Sequence, residues 1–491
     1  MIAAPWDKVS PREQLFVLVT GANSGVGLGI CERLIDDFLA TRSLSSHLIL
    51  IPTTRSVRKS RETIASLRLH LHRTATTSPA LGSRAGTSYN PDDTLARVHL
   101  LSTQLDLCDL PSVYACAANL VRGTITDPTD PDARLYKIPR LDSVIFNAGF
   151  GGWTGLDWAG LFTDLFTKGL LAVVTWPAFK IAPSGAVVKQ QSVRSDLPSP
   201  PVLGEVFCAN VFGHYVLAHE LLPLLSRAGP GETPGRVVWT SSVEPQARHL
   251  RLDDLQGVET DSPYESSKRL TDVLSLTSHL PAARAPSAAY FTPDDPDAAR
   301  ALPARPSFYL THPGVVASSL FPVPFPIVLF WVYKFVLYVA RWAGSPWHPV
   351  TGYNGAAAPV WVALQDDETL AELDAKRIKW GSATTRSGRQ DVKKTEVEGW
   401  GWEGAVEDRD SLARDPATGV LRKAVGRNPG AKDLTKEQLA EFEELGARAW
   451  TEMERLRRQW DEILGVRGQG VNGNGNGNGN GNDHGNGNGK I

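Results

Sequence analysis

Leu15-Phe-Val-Leu-Val-Thr20-Gly-Ala-Asn-Ser-Gly-Val-Gly27 is the stretch whose reading decides the fold. Leu15 to Thr20 is a continuous apolar run, the mark of a strand buried on both faces of a parallel sheet. A glycine-rich turn follows at once, and the spacing of Ile30, Leu34 and Ile35 predicts a helix behind it. Strand, glycine turn and helix in that order build a pyrophosphate site. Glycines let the backbone approach phosphates, and the helix N-terminus offers free N–H groups and a positive dipole end. Gly21, Ser24, Gly25, Val26 and Gly27 are the candidate contacts. The spacing Thr-Gly-x-x-x-Gly-x-Gly differs from the commoner Gly-x-Gly-x-x-Gly, and a tight structural turn is the plain alternative.

Moving outward, His47-Leu-Ile-Leu-Ile51 reads as the next strand. An acidic residue at its end would hold a ribose 2′-hydroxyl and signal NAD. Arg55, Arg58 and Lys59 stand there instead. A guanidinium pairs well with a 2′-phosphate, so NADP(H) is the expected cofactor, with a solvated basic helix start as the rival reading of each residue. Residues 74–94, rich in Ser, Thr, Gly and Pro, read as a loop. Asp106 falls just past the strand Arg97–Leu101, where it can meet an adenine amino group or cap the segment after Pro111. The strand Leu141–Phe146 runs into Asn147-Ala148-Gly149, small residues that leave room for a cofactor at the carboxyl edge of the sheet.

Val206 to Leu222 reads as one long apolar helix carrying Asn210, a buried amide that must find hydrogen-bond partners and could hold a water that relays protons. The strand Arg236–Thr240 ends in Ser241-Ser242, and a serine there faces the crevice and can meet a substrate carbonyl. In Ser262-Pro-Tyr264-Glu-Ser-Ser-Lys268 the tyrosine and lysine are one helical turn apart on one face. A free tyrosine has a pKa of about 10, and a neighbouring ammonium is expected to lower it. The last strand, from Phe308, turns sharply at Pro313-Gly314, bringing the Val315 backbone toward a nicotinamide amide and Ser318 toward a phosphate.

With 491 residues the chain is longer than one minimal domain, and a net charge of −2 gives no reason to expect nucleic acid as a partner. Cys31, Cys108, Cys116 and Cys208 are scattered without metal-ligand spacing, which suits a reduced intracellular chain. The N-terminus lacks the basic-then-apolar order of a signal peptide, so secretion is not expected.

Together these motifs resemble a short-chain dehydrogenase/reductase over roughly residues 15–320. The resemblance implies an α/β, Rossmann-type doubly wound parallel sheet that uses NADPH and no metal. It implies that Tyr264 donates the proton, Lys268 lowers its pKa and binds the nicotinamide ribose, Ser242 orients the carbonyl and Asn210 supports the relay. Ser242 fits the second position of the family's Ser-Ser pair better than Ser241. The Ser242 to Tyr264 gap is longer than the family's usual spacing of about a dozen residues. That loop, the insertion after Asn147-Ala-Gly, His312-Pro-Gly-Val-Val-Ala, Gly352-Tyr-Asn-Gly355 and Lys379-Trp-Gly-Ser-Ala-Thr384 are similar to the sterol 3-keto reductases of fungal ergosterol biosynthesis. This implies reduction of zymosterone or its 4-methyl form to the 3β-alcohol, beside other C-4 demethylation enzymes. The expected place is the cytosolic face of the endoplasmic reticulum membrane, or a lipid droplet. Two rival readings are a reductase of another bulky lipid or polyketide ketone, and a non-catalytic NADPH-binding scaffold.

The expected layout is an N-terminal arm (1–14), a reductase domain (15–319) and a membrane-associated segment (320–360). A C-terminal extension (361–465) and an Asn-Gly tail (466–491) with nothing to bury complete it. Within the reductase domain, residues 151–204 form an insertion near the substrate pocket, read equally as a lid touching lipid or as ordinary core. Leu320–Ala343 is the most hydrophobic stretch. Prolines at its start and Lys334 near its middle favour a helix dipping into one leaflet over a full crossing, with a hydrophobic dimer or lid helix as the alternative. Asp433–Leu464 reads as an amphipathic helix that docks on the body or binds a partner.

Overall fold

The computed structural model describes residues 4–190, 201–227, 232–293, 304–317, 327–406, 427–428 and 433–466. Its main sheet contains β1 (Gln14–Val19), β2 (His47–Thr54), β3 (Val98–Leu100), β4 (Ser143–Phe146), β5 (Arg236–Thr240), β6 (Ser307–His312), β7 (Lys379–Thr384) and β8 (Gln390–Thr395). Their order in space is β8-β7-β6-β5-β4-β1-β2-β3, and Thr103–Gln104 prolongs the β3 edge beside β2. The pairings are parallel except β7 with β8. Strand order reverses between β1 and β4, so the crevice outside their carboxyl ends is the natural place for a ligand.

The helices that frame this crevice are α1 (Gly25–Thr41), α2 (Val57–Thr77), α3 (Leu110–Val121), α4 (Trp158–Lys168), α5 (Leu170–Thr175), α6 (Gly213–Glu220), α7 (Pro263–Thr277), α8 (Ile327–Trp342), α9 (Ala357–Leu364) and α10 (Lys436–Ile463). Alternate residues of each strand feed two cores. Val17, Val19, Leu48 and Leu50 pack with Ile30, Leu34, Phe38 and Val360, which puts α1, α2 and α9 on one face. Phe16, Leu18, Val237 and Trp239 pack with Val113, Val216, Val273 and Trp450, which puts α3, α6, α7 and α10 on the other.

Several expectations change. Residues 74–94 are mostly helical: α2 runs to Thr77, and short helices span Pro79–Ala85 and Pro91–Leu95. Each proline sits at a first helical position, where its missing N–H is harmless, so these prolines start helices rather than mark a loop. The helix expected over 206–222 holds a π-helical turn at Cys208–Phe212, which carries Asn210. The insertion is ordered over its described residues: the short strands Gly155–Leu156 and Lys180–Ile181 pair and enclose α4 and α5.

The boundary expected after residue 360 falls inside the fold, because β7 pairs in parallel with β6 and β8 follows it at the edge of the sheet. Helix α10 docks on the body. Phe442, Ala449, Trp450 and Met453 enter the core, and a Cβ on Gly446 would lie 2.6 Å from the Thr277 side chain of α7. Its start is a capping box, in which Thr435 Oγ accepts from Gln438 N–H and the Gln438 side chain accepts from Thr435 N–H. The apolar stretch is helical from Ile327; Leu337 and Ala340 are buried, while Trp331, Phe335 and Trp342 are exposed. Among the described residues, no helix is long and apolar enough to cross a membrane. The Asn-Gly tail beyond Val466 lies outside the described residues.

Candidate active site

The carboxyl ends of β1, β2, β4 and β5 and the turn after β6 surround a cleft of about 470 Å³. Gly21, Ser24, Gly25, Val26 and Gly27 line one end with Arg55 and Asp106; Asn147, Ala148 and Gly149 lie between, and Tyr264 and Lys268 stand at the other. The glycines are required sterically. Gly21 has φ +66°, and a Cβ there would lie 2.8 Å from Ala148 Cα; one on Gly27 would lie 2.6 Å from Asn147 Nδ2. Ser24 precedes α1 in an extended conformation and makes no side-chain cap, which leaves the first-turn N–H groups directed into the cleft.

At the end of β2, Arg55 is exposed and lines the cleft. Arg58 pairs with Glu62 one turn along α2 at 2.8 Å, and the Lys59 N–H is capped by Ser56; neither residue lines the cleft. Asp106 is not the helix cap: Asp109 occupies that position, and Asp106 closes its own turn through Cys108 N–H at 3.0 Å.

Thr20 was not singled out by sequence, yet it fastens the floor. Its Oγ1 accepts from Asn147 N–H (3.0 Å) and Ala148 N–H (3.1 Å) and meets His214 Nε2 at 2.9 Å. Burial draws the His214 pKa down to about 3, so the ring is neutral. Thr20 then donates to Nε2, and Nδ1–H faces the Asn210 carbonyl at 3.3 Å.

The two serines differ at the end of β5. Ser241 lines the cleft, and its Oγ donates to Asp272 Oδ1 at 2.5 Å. Ser242 Oγ accepts from Glu244 N–H at 3.3 Å and neighbours the Tyr264 side chain, whose pKa it draws down, but Ser242 does not itself line the cleft. Lys268 Nζ donates to the Thr240 carbonyl at 2.8 Å and lies 5.7 Å from the centre of the Tyr264 ring. Burial draws its pKa down to about 8, with Asp272 opposing and Lys379 of β7 adding to the fall.

Three expectations are corrected. The Tyr264 pKa is pushed up, not down: burial is the main cause, the Glu244 charge adds to it, and the Ser242 hydrogen bond opposes them. Lys268 is turned to the Thr240 carbonyl. Asn210 does not line the cleft; its amide accepts from Phe150 N–H (2.7 Å) and donates to the Phe150 carbonyl (3.0 Å) and Ser267 Oγ (2.9 Å), so it braces α7 against the end of β4. Val315 also lies off the cleft, its N–H donating to the Trp347 carbonyl and its own carbonyl accepting from Val350. Ser318 lies outside the described residues.

Strand order, glycine turn and the Ser242/Tyr264/Lys268 arrangement are those of a short-chain dehydrogenase/reductase. No family model matches the chain. It is 56% identical over 467 residues to the 3-keto-steroid reductase ERG27 of Gibberella zeae, covering 94% of this chain and 98% of that protein. It is 40% identical to the 3-keto-steroid reductase erg27 of Aspergillus fumigatus, covering 92% and 95% respectively. A solved alcohol dehydrogenase from Thermococcus sibiricus, complexed with 5-hydroxy-NADP, overlaps it at TM-score 0.37 and 14% identity, over 76% of this chain and 97% of that one. The chain belongs to the 3-keto-steroid reductase family.

Proposed function

We propose that the chain reduces the C-3 ketone of a sterol intermediate, zymosterone or 4-methylzymosterone, to the 3β-alcohol with NADPH during C-4 demethylation in ergosterol synthesis. The observation that carries this reading is 56% identity across 98% of a 3-keto-steroid reductase, in a chain whose Tyr264 and Lys268 line the cleft with Ser242 beside Tyr264.

The cleft suits a dinucleotide. Its glycines leave room where side chains would clash, α1 presents an uncapped N-terminus, and Arg55 lines the cleft at the end of β2 with a guanidinium that can pair with a 2′-phosphate. Gly21 to Gly27, Arg55, Asp106, Asn147 to Gly149 and Lys268 would hold it. When bound, NADPH supplies the hydride. Ser242 hydrogen-bonds the carbonyl oxygen as negative charge develops there, and the Tyr264 hydroxyl donates its proton to that oxygen. Lys268 holds a positive charge beside the cleft and keeps the end of β5 in place through Thr240.

The same reading places the enzyme at the cytosolic face of the endoplasmic reticulum membrane. Trp331, Phe335 and Trp342 of α8 and Phe162 and Phe166 of α4 are exposed, an aromatic-rich surface suited to a lipid interface. The test is oxidation of NADPH by detergent-purified protein given zymosterone, with the product stereochemistry determined. The 3β-alcohol is expected. Tight NADPH binding without turnover, or turnover confined to non-steroid ketones, would contradict the reading.

A further inference from the structure

The motif Gly352-Tyr-Asn-Gly355 lies behind the cofactor cleft, and none of its residues lines it. It is a single helical turn leading into α9, capped by Thr351, whose Oγ1 accepts from Asn354 N–H at 3.2 Å. Neither glycine has a positive φ, so the backbone there suits any residue and the glycines supply space.

That space is filled by the walls of the cleft. A Cβ on Gly352 would lie 2.7 Å from the Gly25 carbonyl carbon and 3.2 Å from Val26 N, in the first turn of α1. From the other side, a Cβ on Gly29 would lie 2.5 Å from the Gly352 carbonyl oxygen and 2.5 Å from Tyr353 N. Two backbones thus touch with no side chain between them, at the helix start whose Gly25 and Val26 line the cleft. A Cβ on Gly355 would lie 2.8 Å from the Val316 side chain and 3.1 Å from the carbonyl oxygen of Pro313, which also lines the cleft.

The turn is fastened on both flanks. Tyr353 OH donates to Asp36 Oδ2 at 2.8 Å, and the Arg33 guanidinium lies 5.6 Å from the centre of its ring; both partners belong to α1. Asp36 Oδ1 accepts in turn from Thr74 Oγ1 of α2 at 2.8 Å. Asn354 Nδ2 donates to the Pro349 carbonyl at 3.1 Å, and its Oδ1 accepts from Gln390 Nε2 of β8 at 2.5 Å. A contact between two close-packed backbones has no flexible chain that could yield, so a displacement on one side is passed to the other.

We propose that the Gly352–Gly355 turn is a positioning element for the cofactor. By seating its backbone against Gly25, Val26 and Gly29, it fixes where the first-turn N–H groups of α1 stand and so sets the affinity for the pyrophosphate of NADPH. The inference rests on the reading of the cleft as a dinucleotide site. Ser24 makes no side-chain cap to hold the start of α1, so the seat behind it carries that task.

The test is equilibrium binding to the full-length protein of NADPH and of adenosine 2′-phosphate, a fragment without the pyrophosphate. A Cβ in Gly352→Ala forces the two backbones apart, whichever of them moves. The NADPH dissociation constant should rise about tenfold, the equivalent of one weakened hydrogen bond to a charged group. That for adenosine 2′-phosphate, which Arg55 and Asp106 would hold, should stay near the wild-type value. Should Gly352→Ala not fold, Gly29→Ala meets the same contact from the α1 side and must show the same split. A merely structural role would lower the melting temperature and leave both constants alone. Unchanged NADPH affinity in a folded variant, or equal losses for the two ligands, would overturn the proposal. Wild-type protein that binds no NADPH would contradict the dinucleotide reading, and this proposal with it.

Discussion

Tyr264 is a buried phenol packed under Trp153. The Tyr-x-x-x-Lys spacing correctly put the two side chains on one helix face, but spacing says nothing of where an ammonium points. Lys268 takes the Thr240 carbonyl, and Lys180, a residue that no motif marked, lies 5.2 Å from the centre of the Tyr264 ring. The adjacent serines divide the labour. Ser242→Ala should lower turnover about 10²-fold with little change in melting temperature, because one hydrogen bond to the developing oxyanion is lost. Ser241→Ala should leave turnover near wild type and lower stability by about 1–3 kcal/mol, because buried Asp272 loses a donor. Steady-state kinetics and thermal denaturation on the two variants check this, and a turnover loss in Ser241→Ala equal to that in Ser242→Ala would reverse the assignment.

At the scale of elements, the strand–turn–helix at residues 14–41 was legible because three independent signals agree there: an apolar run, glycines and a 3.6-residue period. The β5 boundaries were read to the residue from its apolar run alone. What stayed hidden was long-range. Thr20 bridges the β1 and β4 ends only after the chain has folded back by more than a hundred residues, and Pro79 and Pro91 look alike in a loop and at a helix start. Arg55 belongs to this scale, because the end of β2 alone places it on the cleft, while Arg58 is taken up by Glu62. Arg55→Ala should raise the KM for NADPH about tenfold and leave that for NADH nearly unchanged, since only the former carries the 2′-phosphate. Equal changes for both cofactors would remove Arg55 from cofactor choice.

Over the whole molecule, the C-terminal third is structural to the catalytic helix. Lys379 of β7 reaches Asp272 at 2.7 Å, the Arg269 guanidinium lies over Phe442 of α10, and Gly446 packs against Thr277. Helix α7 is therefore buried along its length, which fixes Tyr264 and Lys268 between the sheet and α10. Sequence marked β7 only as a resemblance and gave no strand signal strong enough to join it to the sheet, because its partner β6 lies some seventy residues earlier. The central claim is that this scaffold makes Tyr264 the acid of a ketone reduction. The most direct measurement is turnover of Tyr264→Phe with saturating NADPH and 3-keto sterol, alongside its NADPH affinity. The account predicts a fall of about 10²–10⁴-fold in kcat with the affinity nearly unchanged. Undiminished turnover would contradict it.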